Sequence, residues 1–129
     1  MNKGEIEAGL PKTANYRYAD RVGAQLFVSG QVPHDRSSNL VGIDNPAEQA
    51  NQCLRNLRTL MTHHGFKESD IRRLTIYVVG EEQNLLQAWE AVESWFDRNV
   101  PPSTLLGVDR LGYPHQIVEI DATIVAEAE

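Results

Sequence analysis

Glu119 and Asp121 stand two residues apart in QIVEIDATIVA, the run from Gln116 to Ala126, and are the side chains best suited to acid–base chemistry. Even positions Val118, Ile120, Ala122 and Ile124 form one apolar face, the alternation of a strand. The two carboxylates therefore share the other, mixed face with Ile117, Thr123 and Val125. Burying a carboxylate among apolar neighbours is costly unless hydrogen bonds are donated to it. Glu119 is expected either to be half exposed or ion-paired, or to sit in a partly dry cleft as a general base. Asp121 reads as structural, paired with Arg110 or with an arginine of a neighbouring chain.

The other reactive side chains promise less. Among the four histidines, His63 and His64 are neighbours on a helix, so they should point about 100° apart and not toward one ion. His115 falls at a strand start. His34, beside Asp35 in a loop after Gly30, reads as surface, although it could reach a cleft. The single cysteine, Cys53, lies on an apolar helix face and reads as core; it excludes an internal disulfide and a cysteine-based metal site. Phosphate-cradling and dinucleotide glycine motifs are absent, as is a nucleophile elbow. The expectation is no cofactor and no metal.

The elements that must position these groups follow from periodicity. Residues 1–14 read as an irregular or edge-strand lead-in. Val22 to Ser29 alternates as one strand ending at Gly30, and Asn39 to Gly42 as a short returning strand. Asp44-Asn45-Pro46 starts a helix, with an N-cap followed by proline, that runs to about His64 and stops at Gly65. Its packing stripe is Ala47, Ala50, Cys53, Leu54, Leu57, Leu60, Met61 and His64. Ile71 to Val79 is a strand apolar on both sides and so central. A second amphipathic helix covers roughly Asn84 to Arg98 and ends at Pro101-Pro102. Two strands close the chain, Thr104 to Asp109 and Gln116 to Ala126, around a turn at Gly112-Tyr113-Pro114. Both helices bury one side only, which predicts an α+β fold with the helices on one face of a mixed sheet. Its other face would hold Phe27, Tyr77, Ile117 and Val125, too apolar to stay wet, so a partner subunit is expected there.

Composition narrows the function classes. A chain of 129 residues is expected to form one domain over 1–129. Twelve basic against eighteen acidic side chains leave a net charge of −6, which argues against general nucleic-acid binding. Arg72-Arg73, the one small basic group, reads as a solvated strand or helix end. The opening MNKGEIEAGLPKT is too polar for a signal peptide and no stretch is apolar enough to cross a membrane, so a cytoplasmic protein without a membrane partner is expected.

The closing segment also carries a likeness. It combines the turn Pro101-Pro102-Ser103, a strand ending Val108-x-Arg110-Leu111, and the acidic pair of Val118-Glu119-Ile120-Asp121-Ala122. Upstream lie Asn15-Tyr16, Leu26-Phe27-Val28-Ser29-Gly30-Gln31-Val32-Pro33, the helix from Ala47, and Gly65-Phe66 through Asp70-Ile71 to Tyr77-Val78. In that order the chain resembles the YjgF/Rid family over most of its length. The resemblance implies a chorismate-mutase-like fold, a homotrimer with a barrel-like core, and a cleft between subunits. RidA-like members hydrolyse reactive enamines and imines derived from amino acids there. It also implies that Glu119 orients a water or stabilises substrate nitrogen, and that Tyr16, Ser29 and Gly30 line the cleft, joined by Ser103 and Thr104.

Two positions depart from the deaminating pattern. Serine at 103 stands where those relatives place the arginine that grips the substrate carboxylate, and a hydroxyl does not replace a planar two-pronged cation. Leu86 stands near a usual asparagine. Arg17 or Arg110 could bring charge from elsewhere. Two readings thus stay open: an imine or enamine hydrolase of altered specificity, and a trimer that binds a small polar metabolite without turnover. A ribonuclease is a distant third.

Overall fold

The computed structural model describes residues 1–127. Five strands form one sheet in the order β1-β2-β5-β3-β4: β1 (Ala19–Val22), β2 (Gln25–Val28), β3 (Ile71–Val79), β4 (Ser103–Val108) and β5 (Val118–Val125). Only β3 and β4 run parallel. The connection between them is α3 (Glu82–Trp95), and α2 (Pro46–His63) joins β2 to β3. The α+β architecture is therefore as expected, and Asn45 caps α2 by accepting the Glu48 N–H at 3.0 Å.

The core lies between the helices and one face of the sheet. Leu54, Leu57 and Met61 of α2 and Ala88 and Val92 of α3 meet Leu74, Ile76 and Val78 of β3 and Val118, Ile120 and Ile124 of β5. Alternation then sends Tyr77, Glu119 and Asp121 to the opposite face, where Phe27 stays 52% exposed and Leu106 42% exposed. Ile117 is an exception to the expectation: it packs against the core instead of the open face.

Four further expectations are corrected. Residues 1–14 include a short helix, α1 (Lys3–Glu7), that local periodicity is too brief to reveal. Val22 to Ser29 is not one strand, because Gly23 takes φ +60° and turns the chain between β1 and β2. Asn39 to Gly42 forms no strand; a single bridge joins Leu40 to His34. The second helix spans Glu82–Trp95, two residues earlier at its start and three at its end.

Candidate functional site

Glu119 is the second residue of β5, opposite Tyr77 of β3, with its side chain on the open face. Its carboxylate lies over Gly30: a Cβ on residue 30 would come within 2.9 Å of Glu119 Cδ and closer still to Oε2. Glycine thus leaves room there for the carboxylate to lie as it does, and its backbone conformation does not call for glycine. Gln116 Nε2 donates to Glu119 Oε1 at 3.1 Å and also to the Val118 carbonyl at 3.1 Å. The Gln116 Oε1 accepts the Tyr113 N–H at 3.2 Å, and the Tyr113 hydroxyl meets the Tyr16 hydroxyl at 3.2 Å. Gln116 and the body of Tyr113 thus connect Glu119 to Tyr16.

Desolvation raises the Glu119 pKa above the ordinary carboxylate value; the Gln116 bond opposes this, and Asp121 on the same face adds to it. Burial, followed by the Tyr113 bond and neighbouring charge including Glu119, raises Tyr16 too, so the phenol keeps its proton. The cluster holds an acid poised to take up a proton beside a phenol that can donate one. Ser29 adds a hydroxyl that is buried and without a hydrogen-bond partner, alone in this among the described residues. Tyr16 and Ser29 share, with Phe27, an open depression of about 450 Å³.

Ser103 and Thr104 are elsewhere. Ser103 pairs with Leu74 and Glu119 with Tyr77, so within one chain they are separated by three residues along β3 and two strand spacings, about 14 Å. Facing the helices with Leu74, Ser103 donates its hydroxyl to the Pro101 carbonyl at 2.7 Å. Thr104 is on the open face, where its hydroxyl accepts from Arg73. The larger depression at this end, about 490 Å³, is lined by Pro101, Pro102 and Trp95 and touches none of the Glu119 cluster.

A family model described as endoribonuclease L-PSP matches residues 7–126. The chain belongs to this family. Curated relatives of the L-PSP chain are RutC family proteins. One from Pyrococcus horikoshii is 25% identical over 113 residues, 87% of each chain. Another, from Sulfurisphaera tokodaii, is 27% identical over 88 residues, 68% of this chain and 69% of that one. Among solved structures, a putative endoribonuclease from Thermotoga maritima superposes with TM-score 0.81 at 28% identity, covering 94% of both chains. The E. coli YjgF protein superposes with TM-score 0.78 at 24% identity, over 90% of this chain and 91% of that one. E. coli TdcF, solved with bound serine, gives 0.80 at 22% identity with the same coverage. The latter two show the shared fold.

In this L-PSP chain several side chains near the cluster escape sequence reasoning. Tyr113 and Gln116 lie in the turn before β5, where nothing in the local pattern marks them. Gln49 and Asn56 were detectable as amides seven residues apart inside the α2 stripe, both buried. Asn56 donates to the Val32 and His34 carbonyls at 2.9 Å each, fixing the loop that carries His34. The His34 ring packs edge-on against Tyr113 with centroids 5.0 Å apart, and burial lowers its pKa against the pull of Asp35. That loop therefore does reach the cluster.

The charged alternatives divide. Arg110 pairs with its neighbour Asp109 at 3.7 Å, both exposed, whereas Arg17, paired with Asp20 at 3.6 Å, lines the same depression as Tyr16 and Ser29. Within the chain Asp121 accepts the Ala122 N–H at 2.9 Å, while Arg110 pairs with Asp109. Cys53 is core as expected, fully buried with its thiol toward the Val118 carbonyl and its pKa pushed well up by burial.

The packing of Glu119 over Gly30 makes a prediction. In Gly30→Ala the group that must yield is the free end of the Glu119 side chain. Stability should change by less than about 1 kcal/mol, while ligand binding or turnover falls nearly as far as in a direct Glu119 substitution. Urea unfolding and a binding assay on the same preparation check both halves; unchanged function would show that the position of the carboxylate is irrelevant.

Proposed function

We propose that this L-PSP protein binds a small carbonyl or imine-type metabolite in a cleft between copies of the chain, and that Glu119 directs water onto the imine carbon. The carrying observation is a half-buried carboxylate of raised pKa, held by Gln116 beside the Tyr16–Tyr113 pair. As base, Glu119 takes a proton while water oxygen bonds to carbon and the C=N π pair moves to nitrogen. As acid, it returns that proton to nitrogen to give the carbinolamine; it then takes the hydroxyl proton and passes it to nitrogen, so that the C–N bond breaks and ammonia leaves as the carbonyl forms. Tyr16 and the Ser29 hydroxyl hold the polar end of the substrate.

Two observations support completion by a neighbouring copy. Phe27 and Leu106 leave apolar area on the open sheet face. Ser103 and Thr104 lie apart from Tyr16, Ser29, Gly30 and Glu119, so a cleft containing all six needs a second chain, and a homotrimer supplies three such clefts. Sedimentation should give three chains; a stable single-copy species would remove this reading.

Ser103 favours a second reading, binding without turnover. It brings no cation, and its hydroxyl already donates to Pro101. Losing charge-assisted bonds weakens the grip on a carboxylate by about 1.5 to 3 kcal/mol. The deciding experiment generates 2-iminopropionate in place and follows pyruvate. Release above the buffer rate supports the hydrolase. No release by the natural chain, together with activity gained in Ser103→Arg, supports a binding protein that keeps the pocket. Ribonuclease activity is disfavoured by the net charge of −6.

A further inference from the structure

A second group of chemistry-bearing side chains lies at the far end of α2, apart from the Glu119 cluster. His63 and His64 were expected to diverge as helical neighbours, but His64 is the cap of α2, at φ −93° and ψ 8°, so the helical offset does not apply to it. α1 then brings Glu5 to them across 59 positions: His64 Nε2 and Glu5 Oε2 are 2.8 Å apart. The two imidazoles meet edge-on with centroids 4.9 Å apart. One ligand atom from each of Glu5, His63 and His64 lies within 4.8 Å of the other two.

From this geometry we infer that Glu5, His63 and His64 form a binding site for a divalent transition-metal ion of the zinc type. Two imidazole nitrogens and one carboxylate oxygen are a recurring zinc donor set, whereas magnesium and calcium call for oxygen donors. Donor atoms around a tetrahedral zinc with bonds near 2.0–2.1 Å stand about 3.3 Å apart. Small side-chain rotations would open the 2.8 Å His64–Glu5 contact and bring the wider separations, all within 4.8 Å, to that value. The backbone leaves room for it: the His63 ring lies across Gly4, where a Cβ would stand 2.7 Å from Nε2. Glu5 is nearly enclosed, with 12% of its side chain exposed, while His63 faces solvent and leaves a water position open.

The ion would fasten α1 to the end of α2, and α1 matters to the Glu119 cluster through Asn2. That residue accepts the Tyr18 N–H at 2.9 Å and donates to the Tyr16 carbonyl at 2.9 Å. Metal binding should therefore slow the opening of residues 13–18, the segment that carries Tyr16.

The test uses tag-free full-length protein, titrated with zinc chloride by calorimetry and followed by thermal unfolding and amide exchange. The expected result is one ion per chain, a raised melting temperature, and slower exchange over residues 13–18; magnesium chloride does none of this. His63→Ala combined with His64→Ala should weaken zinc binding by more than about a hundredfold, since even outer partners of a metal site account for about 10 to 100. Glu5→Gln keeps a partner for His64, so it tests the carboxylate in a chain that still folds, and it too should bind more weakly. No saturable zinc binding by the natural chain, or zinc binding unchanged in the double variant, overturns the inference.

Discussion

Glu119→Gln is expected to lower imine hydrolysis by about 10² to 10⁴, the usual contribution of a positioned acid–base group, while leaving the chain at least as stable as before at neutral pH. The stability half follows from linkage. Burial raises the folded-state pKa above the ordinary 4.5. Between those two values the unfolded chain has released the proton that the folded chain keeps, so the unfolded state binds fewer protons and stability falls as pH rises through the window. Glutamine has no proton to lose. The variant should therefore match the natural chain below the window and exceed it above. Asp121, raised mainly by desolvation, has the same sign but is common to both proteins. Melting temperatures from pH 4 to pH 8 would show the two curves separating with increasing pH. A variant less stable at neutral pH would mean that Glu119 is held by structural bonds, and that its raised pKa does not mark a working group.

Gln49→Leu should have the largest structural effect of any single change considered. Gln49 is fully buried on α2. Its Nε2 donates to the Gly42 carbonyl at 3.0 Å and the His115 carbonyl at 3.1 Å. Its Oε1 accepts the Ile117 N–H at 2.8 Å and the Val118 N–H at 3.2 Å. Leucine fills a similar volume, and although the Gly42 carbonyl still accepts the Asn45 N–H at 3.0 Å, the His115 carbonyl and the Ile117 and Val118 N–H groups lose this partner, each costing about 1–3 kcal/mol. The expected loss is about 3 kcal/mol or more, a large share of the 5–15 kcal/mol typical of a folded domain. Urea unfolding measures it. Because Ile117 and Val118 immediately precede Glu119, the same change should also free the start of β5 and cost function in whatever fraction stays folded. A loss below about 1 kcal/mol would show that other partners replace the amide.

How much of this was legible beforehand depends on the range over which each feature is encoded. β3 runs over Ile71–Val79 as read from alternation, and α2 ends within one residue of its expected stop. In both, the pattern repeats often enough to stand above local noise. The β1–β2 hairpin was misread because Ala24, Leu26 and Val28 continue the alternation straight past Gly23. α1 covers five residues and has no periodicity to read. Leu86, noted as a departure from relatives, is 54% exposed on α3.

The site divides along the same line. That Glu119 shares a face with Asp121, opposite the apolar positions of its strand, was determined by the order of residues alone, since successive side chains on a strand point to opposite sides. Which groups meet that carboxylate was decided only by the tertiary structure. Gly30 arrives through the pairing of Gln31 with Ile120, Tyr16 through a hydroxyl contact spanning 97 positions, and Glu5 reaches His64 across 59. Periodicity reports which side of an element is buried. Hydrogen-bond partners depend on strand order, register and cap geometry, which bring together residues with no local signal of each other.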